Sequence, residues 1–171
     1  MRLAPTFLNS MPTLNTKHFG PVEYEENALI RFPSGLPGFE NQYSFIFLNP
    51  PGTTPVLFLQ SLTHADLRLP AVPVHIVDPV YQLAVNEDDL AVLGLPVDRQ
   101  PEIGSEVLCL AVVAANGEDS ATFNLLAPII VNLKTRRALQ AIRVDSAYSH
   151  EHSLAADRIC ESFAGARANV F

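Results

Sequence analysis

The 171-residue sequence contains no tryptophan, only two cysteines and no long apolar run. Because Cys109 lies inside an apolar stretch and Cys160 lies near the C-terminus, the disulfide framework of a small secreted domain is not expected. A membrane-spanning helix needs about 18 to 20 consecutive apolar residues, and a signal peptide needs an apolar segment before a small-residue cleavage site. The sequence has neither, so we expect a cytoplasmic protein without membrane contact. Its hydrophobic content of 48% is sufficient for the core of one domain.

Basic residues are scarce in the body of the chain. Residues 20–132 contain 14 acidic and three basic residues, a local balance of −11 within a total net charge of −7. Because binding to a phosphate backbone requires a basic surface, direct nucleic-acid binding is not expected. A basic protein partner would be attracted to such a body, whereas solubility is the simpler explanation for each acidic residue taken alone.

Motifs of catalysis and cofactor binding are also missing. Ser61 lacks the flanking glycines of a nucleophile elbow, and no glycine-rich loop with a lysine is present to hold phosphates. The His150-Glu151-His152 cluster has no further ligands at metal-site spacing, which favours an ordinary solvated segment. The isolated His64 is typical of a local hydrogen-bonding role. We therefore predict no catalytic residues, no cofactor and no metal.

Short β-like runs, each bounded by Pro, Gly, Asp or Asn, make up most of the chain. They predict a mainly β fold, a small single-domain β-barrel-like arrangement of short antiparallel strands with one or two short helices. Asn86 is typical of a helix N-cap, followed by Glu87, Asp88 and Asp89 in the first turn and ended by Gly94. The predicted strands are residues 22–24, 28–32, 43–48, 56–61, 71–77, 107–115, 122–125, 129–133 and 138–144.

Three regions are predicted along the chain. Residues 1–18 have no sustained periodicity and are expected to form a loose leader. Residues 19–154 form the domain, with a type I′ turn at Asn116-Gly117 joining the predicted strands 107–115 and 122–125. Residues 155–171 form a C-terminal tail with the apolar spacing of a short amphipathic helix.

The most distinctive stretch is Asn124-Leu125-Leu126-Ala127-Pro128-Ile129-Ile130-Val131-Asn132. Because proline cannot donate a ladder hydrogen bond, Pro128 predicts a bulge, a sheet edge or a strand start, with some polar backbone open to a partner. The polar residues next to apolar strands, Gln60, Ser61, Asn124 and Asn132, have two interpretations. They satisfy backbone groups at strand ends and bulges, or they form a polar rim around an apolar recognition groove.

This stretch belongs to a set of blocks that resembles a known family. The blocks are Gly35-Leu36-Pro37-Gly38-Phe39-Glu40, Leu59-Gln60-Ser61, the stretch 124–132, Gln140 and Tyr148. In order and spacing they are similar to the flagellar assembly factor FliW family, over about residues 19–154. The sequence departs from the family pattern at Leu67-Arg68-Leu69, where a charge replaces an apolar residue, and at Ala138-Leu139, where a glycine is usual.

The resemblance implies a non-enzymatic, β-barrel-like protein that binds flagellin and the translational repressor CsrA (carbon storage regulator) in the cytoplasm. It further implies partner switching, in which the protein freed by flagellin export antagonises CsrA allosterically and relieves repression of flagellin synthesis. Two alternatives remain at this stage, namely a small cytosolic hydrolase or metal enzyme, and a structural oligomer subunit.

Residue roles follow as hypotheses for this binding protein. Glu87, Asp88 and Asp89 are expected to promote association with CsrA through the on-rate and its salt dependence. Apolar contact with the amphipathic helical termini of flagellin is expected within the polar rim, framed by Gln60, Asn124 and Asn132 with Ser61 beside them. The rigid loop of the first block is expected to present Leu36 and Phe39.

Overall fold

An eight-stranded antiparallel sheet forms most of the computed structural model, which describes residues 11–115, 120–145 and 147–153. The sheet order is β10-β8-β7-β6-β5-β4-β3, with β9 paired to β8 beside β10, and β1 and β2 form a separate two-stranded sheet. The strands are β1 Thr13–Thr16, β2 Gly20–Glu23, β3 Ile30–Arg31, β4 Ser44–Leu48, β5 Leu57–Ser61, β6 Arg68–Pro73, β7 Val107–Ala115, β8 Ala121–Asn132, β9 Ala138–Gln140 and β10 His152–Ser153. The helices are a 3-10 turn at Glu26–Ala28, α1 Val74–Val77 and α2 Glu87–Leu93.

The prediction of a mainly β domain with short helices is confirmed, although the sheet is not closed into a barrel. Its end strands, β3 and β10, do not pair with each other in the described ladders. The sheet nevertheless curls, so that β3 meets the segment before β9. An isolated parallel bridge joins Arg31 of β3 to Arg137, and the Arg31 N–H donates to the Arg136 carbonyl at 2.9 Å. The barrel-like character therefore comes from one bridge rather than from a full ladder.

Both faces of the central strands are buried, so neighbouring residues belong to different cores. Phe58 belongs to one hydrophobic cluster and Leu59 to the other. In β8, likewise, Ile130 belongs to the first cluster and Ile129 to the second. Strands buried on both faces are near-continuous apolar runs, which explains the composition of β7 and the second half of β8. Cys109 is a core residue, as expected, and burial raises the pKa of its thiol to about 12.

Helix α2 forms where its capping signals predict it. The Asn86 side chain accepts from the Asp89 N–H at 2.8 Å, and Gly94 ends the helix with a left-handed φ of 71°. Leu90 and Leu93 face the core. The local signals were sufficient here because caps act within one turn of the helix.

Several sequence predictions of local structure differ from the structure. The leader prediction for residues 1–18 is wrong for Thr13–Thr16, which pair with β2 as a hairpin. The strand prediction for residues 71–77 is right only to Pro73, since Val74–Val77 form α1 with Val74 and Val77 buried one helical turn apart. The strands predicted at 122–125 and 129–133 are joined in one strand, β8.

Some predictions fall outside the described part of the chain. The type I′ turn at Asn116-Gly117 lies outside it, as does the tail helix within residues 155–171. The leading residues 1–10 lie outside it as well. Among the residues that are described, no helix is long and apolar enough to cross a membrane.

Candidate partner-binding site

A surface pocket of about 470 Å³ forms where the loop before β4 meets the loop between β5 and β6. The first loop carries the 35–40 block, and the second follows directly on the 59–61 block. We call this the Phe39 pocket. Its lining residues are Gly38, Phe39, Glu40, Asn41, Gln42, His64, Asp66 and Leu67.

The 35–40 loop is held in a tight conformation by its glycines. Gly35 has φ of 73°, and a Cβ atom there would lie 2.4 Å from the Glu40 carbonyl oxygen. Only glycine allows this approach of the two backbone segments. Leu36 is 2% exposed and belongs to the core, whereas Phe39 is 42% exposed. The loop therefore presents Phe39 alone, and the expectation that it also presents Leu36 is wrong.

A partly buried polar network joins the two loops beneath the pocket. The Gln42 side-chain oxygen accepts from the Ser61 hydroxyl at 2.7 Å and from the Thr63 hydroxyl at 2.6 Å. The Gln42 amide nitrogen lies 2.8 Å from His64 Nδ1. The Ser61 Oγ in turn accepts from the backbone N–H groups of Thr63 and His64. These bonds fix the floor of the pocket, since Gln42 and Ser61 are buried and their polar atoms are satisfied in this arrangement.

Gln60 has a structural role in the same region. Its side chain is fully buried, and its amide nitrogen lies within hydrogen-bonding distance of the Ser61, His64, Ala65 and Leu67 carbonyls, at 3.1 to 3.4 Å. The Gln60 Oε1 has no partner among the described residues. Gln60 thus holds the 61–67 segment in place through its backbone carbonyls. Because the Gln60 side chain is buried, it has no direct access to a partner.

The pocket is negatively charged. Glu40 and Asp66 line it, and no lysine or arginine does. The pKa of the Glu40 carboxyl is held below its usual range by backbone N–H groups, its own and that of Gly38. A carboxylate pair beside an exposed aromatic ring suits a basic or apolar side chain of another protein.

The same contacts give no support for hydrolysis at Ser61. Its hydroxyl is buried and donates to the Gln42 amide oxygen, and no imidazole accepts from it in the described contacts. A nucleophilic serine needs a general base within hydrogen-bonding distance. Across the described residues, no three His, Cys, Asp or Glu side chains are grouped so as to hold a metal ion, and His150 and Glu151 form only an exposed pair at 3.7 Å.

Pro128 lies in a bulge of β8, which is one of the three settings that the sequence predicted for it. Leu110 pairs with Ile129 and Val112 pairs with Asn124, so a longer stretch of β8 lies opposite a single β7 residue. Asn124 is half-buried, and its side chain accepts from the Ala127 N–H at 2.8 Å.

The backbone of the bulge is used inside the protein. The Ala127 carbonyl accepts from the Gln140 side chain at 2.9 Å, and the Pro128 carbonyl accepts from the Ala141 N–H at 3.0 Å. The Leu126 carbonyl accepts from the Arg143 N–H at 2.9 Å. The expectation that this backbone is open to a partner is therefore wrong.

Asn132 connects β8 to helix α2 and to the turn that follows it. It is 3% exposed and donates to the Leu93 carbonyl at 3.0 Å. Its side-chain oxygen accepts from the Lys134 and Thr135 N–H groups at 2.9 and 3.1 Å. All of these contacts are intramolecular.

The predicted acidic set lies apart from the other candidates, at the start of α2. Glu87 and Asp88 are exposed, whereas Asp89 is half-buried and accepts from the Asn86 side chain at 2.9 Å. Two of the three carboxylates are therefore free to attract a partner, and the third helps to cap the helix. Their contribution to CsrA association stays a prediction.

A second aromatic and charged cluster was missed by sequence reasoning. The Arg143 guanidinium lies 4.9 Å from the Tyr81 ring centroid and 4.7 Å from that of Tyr148, and it forms an ion pair with Asp145 at 2.7 Å. The Tyr148 hydroxyl donates to Asp78, and this bond lowers the pKa of the Asp78 carboxyl. Burial, together with Asp78, raises the pKa of Tyr148 to about 12.

This cluster attaches the chain after β9 to β8. The Tyr81 hydroxyl donates to the Leu125 carbonyl at 3.0 Å, in the bulge. The sequence points to Tyr148 alone, through the family resemblance. The other members of the cluster are not recognisable there because they are distant from Tyr148 along the chain.

Arg68 stacks on Phe19 and Phe58 at 5.1 Å from each ring, so the charge that departs from the family pattern is accommodated by aromatic faces.

Comparison with known proteins gives a consistent result. The family model described as "FliW protein" matches residues 13–154. The chain is similar to the flagellar assembly factor FliW of Bacillus subtilis, at 33% identity over 82% of this chain and 95% of that protein. It is also 33% identical to that of Thermotoga neapolitana, over 79% of this chain and 88% of that protein. A crystal structure of the flagellar assembly factor FliW superimposes with a TM-score of 0.72 at 26% identity, covering 83% of this chain and 96% of that one.

Proposed function

The chain belongs to the FliW family of flagellar assembly factors, and we propose that it acts in flagellar assembly by binding flagellin and CsrA in alternation. In this proposal, flagellin occupies the protein in the cytoplasm until flagellin is exported. The freed protein then binds CsrA and relieves its repression of flagellin translation. It is a binding protein in this role, not an enzyme.

The observation that carries the proposal is the extent of the family match. It spans residues 13–154, so it includes every described strand from β1 to β10. Within it, Gly38, Phe39 and Glu40 of the 35–40 block line the Phe39 pocket, and Ser61 of the 59–61 block bonds to Gln42 beneath it. A rigid floor with an exposed ring above it supports binding, because little side-chain entropy is lost when a partner docks.

For flagellin, the proposed contact is the Phe39 pocket with the neighbouring Tyr43. These rings are 42% and 52% exposed, and amphipathic helices bind through apolar anchors of this kind. Gln60 and Ser61 support the pocket from beneath. The double variant Phe39→Ala/Tyr43→Ala should weaken flagellin binding by at least tenfold (about 1.4 kcal/mol). The control Val80→Ala/Val97→Ala removes two other exposed side chains and should leave binding unchanged.

For CsrA, the proposed contribution of Glu87 and Asp88 is long-range attraction, with Asp89 mainly holding the cap. Glu87→Gln/Asp88→Asn should lower the association rate and flatten its dependence on salt, because both carboxylates are exposed. The control Glu23→Gln/Asp98→Asn removes the same charge from two other exposed positions. Equal effects of both pairs would mean that total charge alone matters.

The decisive experiment is a titration with purified CsrA and flagellin, separately and in competition. Mutual exclusion of the two partners is the expected result. Binding of neither partner would refute the proposal. Self-association without partner binding would favour a structural oligomer instead.

A further inference from the structure

Four cations gather at one end of the sheet on a protein whose body is otherwise acidic. Arg31 lies on β3, and Lys134, Arg136 and Arg137 lie in the turn between β8 and β9, which places all four on exposed positions. They are four of the eleven lysines and arginines of the chain. We call them the basic surface.

The fold brings these residues together from distant parts of the sequence. The Arg31 N–H donates to the Arg136 carbonyl at 2.9 Å, and Arg31 forms the isolated bridge with Arg137. The turn is further fixed by Asn132, which accepts from the Lys134 N–H. A pocket of about 640 Å³ opens between this turn and the 3-10 turn, lined by Glu25, Glu26, Asn27, Leu29, Arg31, Lys134, Thr135 and Arg136.

None of the four cations is neutralised by an ion pair within the described part of the chain. The ion pairs found there are Arg99–Glu106, Arg143–Asp145 and His150–Glu151. Glu25 and Glu26 line the same pocket but form no ion pair with its cations. The basic surface therefore keeps its positive charge available to an anionic group from outside.

Arg136 occupies a position where glycine would be less strained. Its φ is 59°, and no other non-glycine residue in the described ranges has a positive φ. L-residues adopt this conformation at the expense of a clash between Cβ and the carbonyl oxygen. The turn thus places a long cationic side chain at a backbone position that favours glycine.

We propose that the basic surface binds a short carboxylate-rich segment of a protein partner. Guanidinium groups match carboxylates in a two-pronged geometry, and three of the four cations are arginines. A nucleic acid would instead need an extended basic track. Four clustered cations do not form such a track, and the local balance of −11 over residues 20–132 repels a polyanion that is longer than the basic surface. The surface shares no lining residue with the Phe39 pocket and does not include Glu87 or Asp88, so this proposal is independent of the flagellin and CsrA contacts.

A labelled hexaglutamate peptide, titrated at low salt by fluorescence anisotropy, is the direct probe. The variant Arg31→Gln/Arg137→Gln should raise the Kd for this peptide about tenfold, since two exposed ion pairs are lost while the backbone bridge remains. The control Lys17→Gln/Arg99→Gln removes the same charge elsewhere and should change the Kd by less than about twofold. Urea unfolding of both variants checks that each is folded.

Three results would overturn the proposal. The first is no binding of the peptide to the intact chain, or the same loss in the control as in the test variant. The second is tighter binding of a short oligouridylate than of the peptide, which would assign the surface to nucleic acid. The third is concentration-dependent self-association that the test variant abolishes, which would make a second copy of this chain the occupant.

Discussion

Replacing Asn132 by alanine tests whether the asparagines that flank the β8 bulge hold the fold or contact a partner. The substitution leaves the Leu93 carbonyl in a buried position without its donor, which costs about 1–3 kcal/mol. It also removes the acceptor of the Lys134 and Thr135 N–H groups. Both residues are exposed, so water replaces the side chain and each lost bond lowers the stability by about 0.5 kcal/mol. The expected destabilisation is therefore about 2–4 kcal/mol.

Asn124→Ala is the matched control on the other side of the bulge. Asn124 is half-buried and makes one bond, to the Ala127 N–H, so its loss should cost about 1 kcal/mol. With an m-value of about 2 kcal/mol/M, the urea midpoint should fall by about 1.5 M for Asn132→Ala and about 0.5 M for Asn124→Ala. Asn132→Asp keeps the acceptor of the turn but places a buried carboxylate against the Leu93 carbonyl, so it should be at least as destabilising as Asn132→Ala.

Flagellin binding by the folded variants completes the test. We expect unchanged affinity, since both side chains bond within the protein. The reasoning fails if Asn132→Ala is less destabilising than Asn124→Ala. It also fails if either variant loses flagellin binding at an unchanged urea midpoint, because the asparagine would then be a contact residue.

Four other variants test particular features of the fold. Gly35→Ala should destabilise by about 2–5 kcal/mol, because the new Cβ meets backbone at 2.4 Å, whereas Gly38→Ala meets no atom within 4 Å and should cost about 1–2 kcal/mol in urea unfolding. Tyr148→Phe should lower stability by about 1 kcal/mol at neutral pH. The pKa of the Asp78 carboxyl is lower in the folded state than in the unfolded chain. The stabilisation from the Tyr148–Asp78 hydrogen bond is therefore fully present above the unfolded-state pKa and is lost as the pH falls through the folded-state pKa. The free energies of unfolding of the wild type and of Tyr148→Phe should converge in acid. Arg136→Gly should raise Tm by about 3 °C through relief of strain while weakening hexaglutamate binding, and a fall in Tm would contradict that account.

The sequence was informative wherever the determining interactions are local. Asn86 and Gly94 bound α2 because a cap and a left-handed C-cap act within a few residues. The long hairpin of β7 and β8 and the bulge at Pro128 follow from apolar runs and from the missing N–H of proline. The negative balance of the body is also a property of composition alone.

The roles of individual polar residues depend on partners that are distant in sequence. Gln60 and Ser61 are adjacent to an apolar strand, which suits either a rim or a core position, and only packing shows that both are buried. Ser61 bonds to Gln42 on the preceding loop, and Asn132 bonds to Leu93 on a helix. Such pairings are set by how the strands stack, and that is not encoded in any short window.

By itself, the sequence determined that this is a mainly β, acidic domain resembling the FliW family, because periodicity, turn residues, charge and motif spacing are properties of the chain. The tertiary structure decided which side chains are available to a partner. It buried Leu36, Gln60 and Asn132, exposed Phe39, and brought Arg31 beside the turn before β9. The physical reason is that exposure and long-range hydrogen bonding arise only when distant segments compete for the same space and the same polar groups.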